Sequence, residues 1–427
     1  MIEASLCVIG AGMFGSAAAK YALVMGEASV CVVGPSDNET HTARGAHFDM
    51  SRITRRLDTT SGVNSHTNDL SIRRYRTLEH DSGIAFYENC GFVWLGTAAT
   101  KDRVDCCLES MEGGTQRAWY HSHHAEGAAH FAAQLKKRTG LNIETALASS
   151  DVTVLEELPD EDGNCGGTVH PNRLVEAQLS LAAKATALRF QHVKEAAVQV
   201  LCADSEFPLF RVVTHTGRVV FAKKVLLAAG AMTSLHELIP NSLLRGRKLL
   251  IEVVTETVTL LRLKDTLGER SWSGCPAIIS THHHDPLNHY YCLPPRQYDD
   301  GHWYVKMGPS GTLFAKDVTS VADACDWVDG HGDCSEERSK LVELLMEVYG
   351  DVIDHTVAPR TLHCVFDRTP QRLPYIGHLG NGFYVCVGGN GTSAKNSDEI
   401  GRLAANLVCG GSAVLSNYQQ LLEPLFQ

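Results

Sequence analysis

Apolar positions change their spacing several times along the chain, and each change marks an element. "SLCVIG" is a continuous apolar run closed by glycine, "SAAAKYALVMG" is alanine-rich and helical, and "VCVV" is a second apolar run. The three fit within the roughly 30 residues of a β-α-β unit. Leu70 to Glu79 has helical spacing with a basic outer face, and "GFVWLG" (91–96) reads as a short aromatic strand. Residues 97–164 are rich in His, Glu, Asp and Gly, with one good helix expected around Ala128–Lys137. "VHPNRLVEAQLSLAAKATAL" reads as a turn entering a helix. "FRVVTHTGRVVFAKKVLLAAGA" holds two β runs about Thr-Gly, then a buried apolar strand ending in Gly230.

Between 236 and 330, "LLIEVVTETVTLL", "AIISTHHH", "HYYCLPP" and "HWYVKMG" alternate with turn clusters, which predicts an antiparallel sheet. "SEERSKLVELLMEVYG" (335–350) predicts an amphipathic helix with Ser335 as N-cap and Gly350 at its end. The C-terminal part then returns to the pattern of the N-terminus, with strand "GFYVCVGG", a glycine turn and helix "SDEIGRLAANLV". Two α/β ends around a β-rich interior imply a discontinuous nucleotide domain. The expected division is 1–95, 165–235 and 360–427 for that domain, with 96–164 and 236–359 forming a second.

Composition narrows the function classes. A chain of 427 residues buries a sizeable core without staples. Its 14 cysteines are single or the neighbours Cys106-Cys107, with no C-x-x-C spacing, so reduced thiols are expected rather than a disulfide framework or zinc ribbon. A net charge of −11 and a pI near 6.0 argue against nucleic-acid binding. No apolar run reaches about 18 residues. "MIEASLCVIG" runs straight into a strand without a leader, and "PLFQ" is not a peroxisomal tail. The expectation is cytoplasmic residence with no membrane partner. His282-His283-His284-Asp285 reads as a solvated loop and not a metal site, because successive strand residues point to opposite faces.

Gly10-Ala11-Gly12-Met13-Phe14-Gly15 fits G-x-G-x-x-G between strand and helix. Gly10 permits a tight turn, Gly12 lets backbone approach a pyrophosphate, Gly15 allows close packing, and the helix N-terminus attracts the phosphate charge. The acidic residue that usually ends the second strand is missing, since "VCVV" runs into Gly34-Pro35-Ser36 and Asp37 is the nearest acid. Ribose recognition must then use backbone or water.

That fingerprint combines with "SRITRRLD" (51–58), "VLLAAGA" (225–231), "CVFDRTPQRLPYIG" (364–377) and "GGNGTSAKNSDEIG" (388–401). Together they resemble the D-amino-acid oxidase superfamily of flavoproteins, and within it the monomeric sarcosine oxidase and N-methyl-amino-acid oxidase group. The likeness implies a two-domain, glutathione-reductase-like α/β FAD-binding fold with a β-rich substrate domain. By residue type alone Cys364 reads as a small core residue. By resemblance it is the flavin's 8α-thioether tether, with His363 and Arg368 as neighbours able to lower its pKa.

The resemblance also implies that Ser51 and Arg52 lie at the flavin ring, Arg55 binds a substrate carboxylate, and His47 matches a loop histidine. Lys395 falls at a second carboxylate-binding cation, and Gly388, Gly389 and Gly391 would bring N–H groups to the flavin's pyrimidine end. On strand pattern alone Lys306 could face outward or be a buried cation. By resemblance it activates oxygen above the flavin, while Tyr291 matches a pocket tyrosine. Phe366 and Ser310 replace a tyrosine and a histidine of the sarcosine oxidases, which implies a pocket not shaped for sarcosine. The implied reaction is hydride transfer from the C–H beside an amine nitrogen to flavin N5, imine hydrolysis, and reduction of oxygen to hydrogen peroxide. A non-oxygen electron acceptor, or a flavin protein without turnover, are the alternatives.

Overall fold

The computed structural model describes residues 2–35, 45–111, 120–139, 141–144, 147, 152–185, 189–202, 210–264, 274–311, 313–411 and 419–427. Asp37 lies outside them. The two ends of the chain meet in one eight-stranded sheet. Its main path runs Ala197–Cys202, Phe210–Thr214, Val219–Leu227, Ile2–Ile9, Val30–Val33, Phe190–Val193. Phe383–Val387 joins Val219–Leu227 in parallel, and Tyr375–Gly380 pairs beyond it. The first strand is parallel to both its neighbours.

Parallel strands here are covered on both faces, which is why they read as unbroken apolar runs. Leu6, Val8, Val30 and Val32 pack with alanines of helix Met13–Val24 and with Ile400, Leu403 and Ala404 of helix Ser397–Val408. Cys7, Ile9, Cys31 and Val33 point the other way, toward Leu238 and Ile239. A buried charge cluster ties the helices together: Lys20 and Arg74 both reach Asp398 at 2.8 Å, and Arg74 reaches Glu399 at 2.6 Å. The arginine face of the helix expected at 70–79, observed as Gly62–Ser82, is therefore partly turned inward.

The second eight-stranded sheet has the order Arg360–Arg368, Glu252–Arg262, Trp303–Pro309, Tyr290–Gln297, Ala277–Ser280, Phe92–Gly96, Thr153–Glu157, Tyr120–His123. Strict alternation divides its residues between two faces. Val93, Val154, Ile278, Cys292, Val305 and Met307 bury against helices Ala125–Thr139 and Ser335–Tyr349. The opposite face carries Trp94, Ile279, Tyr291, Lys306, Glu256, Cys364 and Phe366. A three-stranded sheet of Arg52–Thr54, Gly167–Val169 and Tyr87–Glu88 supports the segment that follows the first unit.

Strands Phe92–Gly96 and Arg360–Arg368 hydrogen-bond into the second sheet. Two expectations are corrected. Ser335 does not cap its helix: Cys334 holds the N-cap position without a side-chain bond, and Asp333 accepts from the Ser335 amide at 3.0 Å. His282 is buried, its Nδ1 3.1 Å from Ser280 Oγ, so the histidine run is not wholly solvated. Gly350 ends the helix as expected and opens a short 3-10 turn. Among the described residues, no helix is long and apolar enough to cross a membrane, no cluster of metal-ligating groups occurs, and every cysteine is a free thiol.

Candidate functional site

A cavity of about 750 Å³ runs from the N-terminal glycine turn to the cavity-facing side of the second sheet. Its size lies in the ligand-site range of about 300–1,000 Å³. Gly10, Ala11, Gly12, Met13 and Phe14 line it, and so does Gly230, just beyond the neighbouring strand Val219–Leu227. Gly10 has φ +109°, and a Cβ there would fall 2.3 Å from the Ala228 carbonyl oxygen. Only glycine fits that turn. Gly15 sits behind the wall against the Gly10 carbonyl and does not line the cavity. His47 lines the same end, its ring centroid 4.2 Å from that of Phe48 and tilted by 33°. Its Nε2 is buried with no partner among the described residues, and burial together with Arg52 pulls its pKa down to about 4.

The middle of the cavity is charged. Lys306 projects from the second sheet, buried, with Nζ 2.7 Å from Asp49 Oδ2 and 2.6 Å from the Ser51 carbonyl. Arg52 donates to the same Asp49 oxygen and to the Ser51 carbonyl at 3.1 Å. Burial lowers Lys306 to about 8, although Asp49 opposes the shift. For Asp49, the penalty of burial is outweighed by the two cations, which hold it well below the usual carboxylate range. Lys306 reaches the cavity through Asp49 and does not itself line it.

A second cationic pair lies beside Trp94. Arg55 donates to the Leu57 carbonyl and lies 3.3 Å from Asp58, its guanidinium 4.7 Å from the Trp94 ring centroid. Lys395 is buried, bonded through Nζ to the Thr392 carbonyl at 2.5 Å. Burial and then Arg55 lower Lys395 to about 7, with Asp58 opposing. Both Arg55 and Lys395 line the cavity.

The sheet face supplies Cys364, Tyr291, Phe366 and Glu256. Burial pushes the Cys364 thiol up to about 12, and the cations that oppose this are Arg52 and Lys306. The expectation that His363 and Arg368 would do so is corrected. His363 packs against Trp327 at 5.1 Å, and Arg368 pairs with Glu252 at 2.7 Å. The late glycine turn also differs from expectation. The amides of Gly388 and Gly389 are spent on the Asp367 carboxylate, at 2.6 and 3.0 Å. Gly391 lies under the Phe366 ring and, with Gly389, lines the wall.

Sequence reasoning missed Asp49, Asp58, Trp94 and Glu256. Asp49 was visible as the acid three positions before Arg52, a spacing that places a counter-ion on a basic pair. Glu256 was visible as an acid on the same strand face as Val254 and Val258, where a polar residue needs a reason. Trp94 and Asp58 carried no comparable signal.

The residues present fit an FAD. The glycine turn opens on helix Met13–Val24, whose first amides and dipole suit a pyrophosphate. His47, whose Nε2 is buried without a partner among the described residues, lines the same cavity as Arg52 and Cys364. Comparison with known proteins agrees. NikD, described as an unusual amino acid oxidase essential for nikkomycin biosynthesis, is 18% identical, with 100% of this chain and 98% of that chain covered and a TM-score of 0.71. L-proline dehydrogenase from P. horikoshii is 16% identical over 98% and 96% of the two chains, with a TM-score of 0.66. Amadoriase I from Aspergillus fumigatus, a fructosyl amine:oxygen oxidoreductase, is 15% identical over 99% and 89%, with a TM-score of 0.68. These likenesses show the fold. No curated protein sequence matches the chain. The family model for FAD-dependent oxidoreductases of the DAO type matches residues 5–407, and the chain belongs to that family.

Proposed function

We propose that this enzyme oxidises an amino acid or related secondary amine held by its carboxylate, at the C–H next to nitrogen, with oxygen as the final acceptor. The observation that carries the reading is the pair Arg55 and Lys395 on one cavity wall, with Asp58 as their nearest acid. Two cations against one carboxylate leave a positive balance in a place poorly served by water. An anionic ligand group satisfies it, and a guanidinium offers a carboxylate a planar two-point grip. The Trp94 ring, 4.7 Å from the guanidinium carbon, helps hold Arg55 in place before the ligand arrives.

The bound FAD supplies the electron acceptor that no side chain provides. Around it the chain's own residues orient and screen charge. Arg55 and Lys395 hold the carboxylate, and Phe366 and Tyr291 close the cavity with apolar surface. Lys306, held on Asp49 behind the cavity wall, would stabilise negative charge developing on oxygen through its field. Phe366 and Ser310 support a substrate other than sarcosine. The division of the chain into a cofactor part and a substrate part follows the two sheets in this reading.

Peroxide release by the flavin-loaded protein across N-methyl, cyclic and D-amino acids tests the reading. Turnover that appears only with an artificial electron acceptor would assign the alternative acceptor. Silence with both, flavin fully bound, would remove the enzymatic reading.

A further inference from the structure

Glu256 faces the same cavity and takes no part in holding a carboxylate. It stands directly across from Cys364 in the antiparallel register. On the other side, Tyr291 lies across the intervening strand at Gly308, its own register partner. A Cβ at Gly308 would fall 2.4 Å from both Tyr291 Cζ and its hydroxyl oxygen, so the missing side chain is what allows the ring to lie there. The hydroxyl is thereby brought close to the Glu256 carboxyl.

Other acids on the lining already have work. Asp49 holds Lys306 and Arg52, Asp367 accepts the Gly388 and Gly389 amides, and Asp329 is exposed. Glu256 forms no ion pair with a described residue. Its neighbours on the lining are Val258, Ile279, Leu362 and Phe366. A carboxyl group has several acceptor positions, more than the nearby Tyr291 hydroxyl can fill. An acceptor left over in the cavity wall is costly unless a ligand completes it. Burial and the nearby Glu337 raise the carboxyl to about 8, against the pull of Arg52, Tyr291 and Lys306. It is therefore mostly neutral near pH 7 and can meet a hydroxyl without leaving an unpaired charge, whereas an ammonium N–H would draw off its proton and pair with it.

We infer that Glu256 accepts a hydrogen bond from a hydroxyl or amine N–H on the part of the substrate remote from its carboxylate. It thereby selects donor-bearing substrates over their apolar isosteres. The inference rests on the carboxylate anchoring proposed above.

Calorimetric binding to the flavin-loaded protein tests it, using ω-hydroxy, ω-amino and ω-methyl carboxylates of matched chain length. These ligands lack an amine beside the carboxylate, so binding is read apart from turnover. At one chain length the hydroxy or amino member should bind about ten-fold more tightly than the methyl member. A gain confined to the hydroxy series assigns a hydroxyl, and one confined to the amino series an amine. Glu256→Leu should abolish the preference. Glu256→Gln, which keeps the shape and an acceptor oxygen, should retain it for the hydroxy member. Equal binding of all three at every length, or a preference that survives Glu256→Leu, would overturn the assignment while leaving the anchoring intact. Failure of every carboxylate to bind would overturn the anchoring and the inference with it.

Discussion

Lys306 Nζ lies 2.7 Å from Asp49 Oδ2, and Arg52 donates to that same oxygen. One carboxylate, in the loop before strand Arg52–Thr54, thus holds two cations from different elements, the first residue of that strand and a residue of a central strand of the second sheet. The ion triad is a mechanical link as well as an electrostatic one. Removing Asp49 leaves Lys306 and Arg52 close together without a counter-charge. Breaking a buried pair from one side costs about 3–5 kcal/mol. Asp49→Asn should lower unfolding free energy by that order in chemical denaturation and weaken flavin retention. An unchanged midpoint would mean that solvent already screens the three groups.

Lys306→Met should slow reoxidation of the reduced enzyme by oxygen by about 100- to 1,000-fold, the usual loss when one preorganised charge is removed. Anaerobic reduction by substrate should change far less. Rapid-mixing measurement of the two half-reactions separates them. Equal effects on both would assign Lys306 a purely structural role with Asp49.

Carboxylate binding should depend on pH through Lys395. Burial and Arg55 bring this ammonium to about 7, so it is charged below that value and neutral above it. Affinity for a carboxylate ligand should therefore be highest at acid pH and fall as pH rises through 7, while Arg55 stays charged throughout. The loss of one charged hydrogen bond corresponds to about 10- to 100-fold. Lys395→Gln should remove the pH dependence and leave the weaker, alkaline level of binding at all pH values.

Cys364 decides how the cofactor is retained. If it tethers the flavin, acid precipitation of the purified protein leaves yellow colour in the pellet, and Cys364→Ala moves that colour to the supernatant. The same separation for wild type and variant would exclude the tether. A thiol raised to about 12 by burial is a poor nucleophile when the site is empty. Arg52, which opposes the shift, is the residue whose loss should slow attachment most.

Local chemistry made the two ends of the fold legible. A fingerprint flanked by apolar runs needs no distant contact to be read, and Gly10 and the strand "VCVV" show why. The second sheet was harder. Its members Phe92–Gly96 and Arg360–Arg368 are far apart in sequence and gain their partners only when the sheet assembles. Their local pattern therefore does not say which sheet they join. At the site, cations were found because they belong to recognisable motifs, whereas their acids were not. Asp49 and Asp58 sit in loops, and what defines them is the ion pair each makes in three dimensions. The donors of Gly388 and Gly389 illustrate the converse, since the motif predicts free amides and Asp367 uses them.

The central claim is that Arg55 and Lys395 hold an amino-acid carboxylate for oxidation by the bound FAD. Its most direct test is anaerobic mixing of the flavin-loaded protein with a panel of N-methyl, cyclic and D-amino acids while flavin absorbance is followed. At least one compound should bleach the oxidised flavin in wild type, and Arg55→Ala should raise the concentration needed by about 10- to 100-fold. Flavin that stays oxidised across the panel, or is bleached at the same concentration in Arg55→Ala, would contradict the account.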